Sequence, residues 1–312
     1  MPRLSLILLL FFAAFLHAQS ATAALPEKII IDTDIGDDID DAFAVALALR
    51  SPELQILGIS STFGDTVTRA KLLDRFLVED GHPEIPVAVG LPGSTKNPFT
   101  QRGYAEASQI QRIHPQAVDF ILDKIRRYPR QITLVAIGPL TNIGAVIDRD
   151  PQTFRKLRRV VLMGGSIARR YGDLENSKPR GPQPEWNIVN DIPAAKKLFA
   201  SGVPIYMMPL DSTQLKLDAA NRTILFQMKT PLTDALNRLY RQWGQETPTL
   251  FDVMTIAYIL DPTLCPVTPM RIRIDGQGFT RVDSGAPNAS VCLNSNSDSF
   301  SRFYMRRMLA PQ

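Results

Sequence analysis

The sequence predicts an α/β protein: an open, mostly parallel, doubly wound sheet flanked by helices, with additional C-terminal helices and short strands. Three observations lead there. Apolar, β-branched runs alternate with helical patterns from Lys28 to about Met208, the alternation that builds βαβ units. The runs end in polar or Gly-rich turns, as expected where a parallel sheet presents its carboxyl ends to a ligand. Hydrophobic residues make up 45% of the chain, enough to cover both faces of such a sheet with one core.

In chain order, the N-terminus carries one Arg, an apolar run from Leu4 to Leu16, and the small residues Ala21-Thr22-Ala23. This is the layout of a secretory signal with an A-x-A cleavage site, so residues 1–23 are read as a signal peptide. The protein is expected to be exported, periplasmic or extracellular, because the run is short for a bilayer span of about 20 residues. Residues 24–312 are expected to form a single domain. Strands are predicted near 28–32, 54–61, 85–89, 131–137, 159–163 and 203–208. Helices begin near Asp41, Asp65, Pro115, Pro139 and Asp191, several with an acidic residue or Pro where a helix start favours one. Two connections, Gly90 to His114 and Gly164 to Asn190, are long for a compact fold and suit lids or substrate loops. From Leu232 come further helices, then strand-like segments near 270–275 and 289–293, and a last helix through Phe303 to Met308. No internal repeat or linker divides the chain.

Composition excludes several classes of function. With 35 basic and 31 acidic residues the net charge is only +4, which argues against a nucleic-acid partner. The three His (His17, His82, His114) are scattered, and neither Cys stands at a zinc-ligand spacing. An oxidising compartment would permit Cys265 and Cys292 to pair, although spacing alone does not establish the geometry.

The residues from Lys28 to Ala42 carry the sharpest signal. Here Asp32, Asp34, Asp37, Asp38, Asp40 and Asp41 crowd the turn between the first strand and its helix. So many like charges repel one another unless a cation neutralises them, which points to a hard metal ion bound by oxygen. An EF-hand is excluded: counted from Asp32, Gly36 falls at the fifth place, and Phe43 stands at the twelfth where Glu is required. A phosphatase of the haloacid-dehalogenase kind is a better rival, since Asp32-Thr33-Asp34 ends an apolar strand, but Gly36 stands where that family usually has Thr or Val. The other predicted strands lead into Thr62-Phe63-Gly64-Asp65, Ile137-Gly138-Pro139-Leu140-Thr141-Asn142 and Met163-Gly164-Gly165. Downstream, Glu185-Trp186-Asn187 sets an acid and an amide two residues apart, and Asp252 opens an apolar helix that it either caps or leaves for the metal.

This combination resembles the nucleoside hydrolase family, often called inosine-uridine preferring, over nearly the whole chain from Lys28. The resemblance implies a calcium ion (Ca2+) held by Asp34, Asp41, the main-chain carbonyl of Ile137 and Asp252. It implies ribose hydroxyls bound by Asp40, Glu185 and Asn187, a sugar pocket lined by Met163, and Asp34 as proton acceptor for the attacking water. The reaction implied is cleavage of a ribonucleoside to ribose and free base, by a homodimer or homotetramer.

Three departures from the family pattern stand out. Asp37 and Asp38 are additional, so the correspondence of Asp40 and Asp41 requires those two to bulge outwards. Asp65 replaces a common Asn in the substrate site, where it accepts hydrogen bonds but donates none when ionised. Phe251 replaces a His that protonates the departing base in some members, so the base must be activated otherwise or be a better leaving group. Trp186, Phe251, Tyr240 and Trp243 are candidates to stack on it. The family's Asn upstream of the E-F-N segment has only Asn176 as a candidate counterpart. A non-catalytic exported binder of nucleosides or sugars is the third reading.

Overall fold

The computed structural model describes residues 25–173 and 177–311; the expected signal peptide and Asn176 lie outside the described residues. The chain runs β1 (Glu27–Thr33), α1 (Asp40–Leu49), β2 (Leu54–Ser61), α2 (Thr66–Glu79) and a two-residue β3 (Val87–Ala88). It continues through α3 (Arg102–Glu106), α4 (Ala117–Arg127), β4 (Ile132–Ile137), α5 (Thr141–Arg149), α6 (Pro151–Phe154) and β5 (Arg159–Met163). Next come α7 (Trp186–Val189), α8 (Ile192–Ala200), β6 (Ile205–Met208), α9 (Leu210–Thr213), α10 (Ala219–Gln227), α11 (Pro231–Trp243) and α12 (Val253–Leu260). After a 3-10 turn, β7 (Val267–Ile274), β8 (Thr280–Asp283), β9 (Ala289–Cys292) and α13 (Ser297–Leu309) complete it.

The nine strands form one sheet in the order β3-β2-β1-β4-β5-β6-β9-β7-β8. Every neighbour pair from β3 to β9 is parallel, and β7 runs antiparallel to both β9 and β8. The apolar run of β1 shows why the sheet is doubly wound. Ile29 and Ile31 enter the core on one face and Ile30 the core on the other, all three fully buried. Such a strand has no solvent side and so reads as a continuous rather than an alternating apolar run.

Because β1 pairs with β2 on one side and β4 on the other, the order of strands reverses there. A crevice beyond the carboxyl ends of β1 and β4 follows from that reversal. Helix α1 packs on α12, which brings the N-terminus of α12 to the same crevice.

The predicted strands and helix starts correspond to elements of the structure within a few residues. The short helices α3, α6, α7 and α9, together with β8 and α10, were not anticipated. β8 is four residues long, and α10 buries only Arg222 and Leu225, so neither presents the apolar periodicity that a sequence reading depends on. Cys265, just after the 3-10 turn, and Cys292, at the end of β9, form a disulfide with Cα atoms 5.6 Å apart. No helix among the described residues is long and apolar enough to cross a membrane.

Candidate active site

The acidic turn after β1 is built around two features. Gly36 has φ +125°, and a Cβ there would lie 2.0 Å from the ring of Phe99. Only Gly admits both that backbone and that close approach. The connection carrying Phe99 is thereby ordered over the turn: Thr100 Oγ1 donates to the Asp37 carbonyl at 2.7 Å and Gln101 Nε2 to that of Asp38 at 2.6 Å. From the other side comes the buried Arg69 of α2. Its Nε donates to the Phe63 carbonyl at 2.8 Å, and a terminal nitrogen donates to the carbonyls of both Asp34 and Ile35. Its remaining nitrogen lies 3.0 Å from Asp37 Oδ2. Asp37 and Asp38 are the more exposed residues of the turn, while Gly36 and Ile39 on either side are buried.

Behind this turn, three carboxylates meet. Asp40 and Asp41 occupy the first turn of α1 and Asp252 the residue before α12, and an oxygen from each lies within 4.8 Å of the others. All three are at most 4% exposed. Asp252 stands where a helix cap would, yet its side chain caps nothing and is committed to the cluster. Its N–H donates to Asp40 Oδ2 at 3.2 Å, and Thr33 Oγ1 donates to Asp41. Burial, and then repulsion by the neighbouring carboxylates, push Asp40, Asp41 and Asp252 well above the usual carboxylate range. Asp34 is pushed up to about 6, chiefly by burial, against the opposing pull of Arg69. The donors are all oxygen, they are buried, and their charges oppose one another. Such a set suits a hard divalent cation, which would relieve the repulsion.

The cluster forms one wall of a cavity of about 410 Å³, within the size range of small-molecule sites. Ile137, the last residue of β4, also lines it, as do Met163, Glu185, Trp186, Asn187 and Phe251. Glu185 Oε2 accepts the N–H of Gly165 at 2.8 Å and Oε1 accepts that of Asn187 at 3.0 Å. Burial nevertheless raises its carboxyl to about 7. Asn187 Nδ2 donates to the Met163 carbonyl at 3.1 Å, whereas its buried Oδ1 has no partner and is left for a ligand's donor. Aromatic rings close the rim: Tyr171 meets Phe251 edge to face at 5.6 Å, and Phe63 meets Trp186 likewise at 5.9 Å. A larger groove of about 770 Å³ lies at the amino ends of β6 and β9 and has no such cluster.

Of the eleven residues given a metal, catalytic or substrate role from sequence, ten share this cavity: Asp34, Asp40, Asp41, Ile137, Met163, Glu185, Trp186, Asn187, Phe251 and Asp252, with Asp40 rather than Asp34 in the mutual carboxylate group. Asp65 does not share it. It caps α2, accepting from Thr68 N at 3.1 Å and Thr68 Oγ1 at 2.7 Å, and pairs with Arg102 at 2.9 Å. Burial works the other way, but the hydrogen bonds from Thr68 and Arg102 hold its carboxyl below the usual range. Asp65→Ala should therefore cost about 1 kcal/mol of stability in urea unfolding and leave KM nearly unchanged. A large rise in KM would restore the binding role.

Of the aromatic candidates, Trp243 lines the cavity, while Tyr240 does not and spends its hydroxyl on the Glu246 carbonyl at 2.7 Å. Asp32 is 1% exposed and holds Ser60 Oγ and Asn142 Nδ2. It is absent from the cavity wall, where the nucleophile of an Asp-x-Asp phosphatase would have to stand. The sequence reading missed Arg69 and Tyr171. For Arg69 a signal existed, since it shares one helical stripe with Leu72, Leu73, Phe76 and Leu77, all buried.

Comparison with known proteins agrees with this geometry. Residues 29–302 match the family model for inosine-uridine preferring nucleoside hydrolase. A pyrimidine-specific ribonucleoside hydrolase of Salmonella gallinarum is 30% identical over 89% of this chain and 96% of its own. A uridine nucleosidase of Arabidopsis thaliana is 29% identical, covering 83% of this chain and 82% of its own. Among solved structures, a purine-preferring ribonucleoside hydrolase from Gardnerella vaginalis superposes with a TM-score of 0.77 at 26% identity, covering 90% of this chain and 98% of that one. The protein belongs to the inosine-uridine preferring nucleoside hydrolase family, and is an enzyme of that kind.

Proposed function

We propose that this enzyme is exported and hydrolyses the N-glycosidic bond of ribonucleosides to ribose and free base, with calcium bound at Asp34, Asp41, Asp252 and the Ile137 carbonyl. The observation that carries this is the buried, all-oxygen cluster of Asp40, Asp41 and Asp252, with Asp34 and Ile137 lining the same cavity beneath an aromatic rim. Calcium, when bound there, orients a ribose diol and a water molecule and eases that water's deprotonation. Asp40, Glu185 and Asn187 hold the sugar hydroxyls, with Asn187 Oδ1 the acceptor that lacks a partner within the protein. As the C1′–N bond breaks, its electron pair leaves with the base and positive charge builds on the ribose ring, which the surrounding carboxylates stabilise. Asp34 accepts a proton from the water as its oxygen joins C1′, and the departing base takes up one proton from solvent. Phe251 has no proton to give, so activation of the base falls to enclosure by the aromatic rim. Export is supported by the leader-like N-terminus and by a disulfide of the kind that persists in oxidising compartments.

The test is release of reducing sugar from a panel of purine and pyrimidine ribonucleosides by the mature protein, with calcium and with chelator. Calcium-dependent release is expected, and the panel names the base. Nucleoside binding with no release from any of them would instead favour the non-catalytic reading.

A further inference from the structure

We propose that Trp186 is a positioning residue for the cation site: its indole N–H fixes one oxygen of Asp34, so that this carboxylate meets the ion in a single orientation. The proposal rests on the calcium reading above. Trp186 Nε1 donates to Asp34 Oδ2 at 3.2 Å. The indole is itself held. It packs edge to face on Phe63, whose ring is buried and whose carbonyl is fixed by Arg69 at 2.8 Å. Its backbone opens α7, the turn capped by Glu185.

On the opposite side, Asp34 lies against the end of β4. A Cβ at Gly138 would stand 2.9 Å from Asp34 Oδ1, so a missing side chain is what admits the carboxylate. Asp34 is therefore seated between a backbone floor and a directional donor. A carboxylate on a turn otherwise rotates about its last bond, and each rotation away from the ion weakens binding. Partners that orient a ligand in this way are typically worth 10- to 100-fold in metal affinity. A ring without a donor would keep the packing on Phe63 and lose the orientation.

The experiment compares the mature protein with Trp186→Phe by calorimetric calcium titration against a competing chelator. A dissociation constant raised about tenfold or more is expected for the variant, with an unchanged circular dichroism spectrum. Independently of any variant's folding, the wild type has only two Trp, so its amide NMR spectrum contains two indole N–H signals. The Trp186 signal is expected at a hydrogen-bonded position and protected from solvent exchange in the calcium-loaded protein. Equal calcium affinity in Trp186→Phe, or a free-indole signal in the loaded wild type, overturns the role of Trp186. Absence of calcium binding by the wild type overturns the calcium reading itself.

Discussion

Asp34→Ala is expected to lower kcat/KM on every ribonucleoside by about four orders of magnitude, or roughly 5 kcal/mol of transition-state stabilisation. Two losses combine. The variant lacks the acceptor for the water's proton, and it lacks one of the oxygens proposed to hold calcium. The companion measurement is stability, because in the metal-free protein the same carboxylates work against folding. Asp34, Asp40, Asp41 and Asp252 all have carboxyls raised above the unfolded range, first by burial and then by neighbouring carboxylates. Between the unfolded value near 4 and these raised values, the folded state binds more protons than the unfolded state. Their contribution is thus fully present below about pH 4 and is lost as pH rises through the raised values, for Asp34 about 6.

Metal-free wild type is therefore expected to unfold at a lower temperature at pH 8 than at pH 5. Calcium at a hundredfold excess over its dissociation constant should restore about 2.7 kcal/mol at the higher pH. Thermal melts at both pH values, with calcium and with chelator, check this. A melting temperature in chelator that does not fall between pH 5 and pH 8 would show that the cluster carries no such repulsion.

Arg69→Met is expected to destabilise the protein by about 3 to 5 kcal/mol and to remove activity with it. Methionine fills much of the space, but it cannot replace donors aimed at three backbone carbonyls and at Asp37. Phe63, held by one of those bonds, has φ 58°, a conformation that non-glycine residues seldom adopt. Without the guanidinium, that strain and the repulsion within the acidic turn are both uncompensated. Arg69→Lys should not rescue, since a single ammonium cannot reach the same divergent set. Urea unfolding of both variants gives the measurement. A loss below about 1 kcal/mol for Arg69→Met would mean that the turn is held by other means.

The sheet and the place of its ligand end were legible in the sequence, because buried parallel strands are continuous apolar runs and their carboxyl ends are short polar turns. The sequence also pointed to a metal at this turn through its six Asp, but it reached Asp252 only by family resemblance, and the carboxylate the structure groups with Asp41 and Asp252 is Asp40. The weakness of the sequence was direction. Asp65 and Asp252 both precede helices, and one-dimensional spacing does not distinguish a carboxylate that caps its own helix from one that faces a neighbour. The packing of α1 on α12 decided it for Asp252, and the hydrogen bonds from Thr68 decided it for Asp65. Arg69, Tyr171 and the Trp186 bond to Asp34 likewise depend on contacts between residues 6 to 152 positions apart. Local propensity carries no record of such contacts, and only the closed tertiary structure aims those side chains at one another.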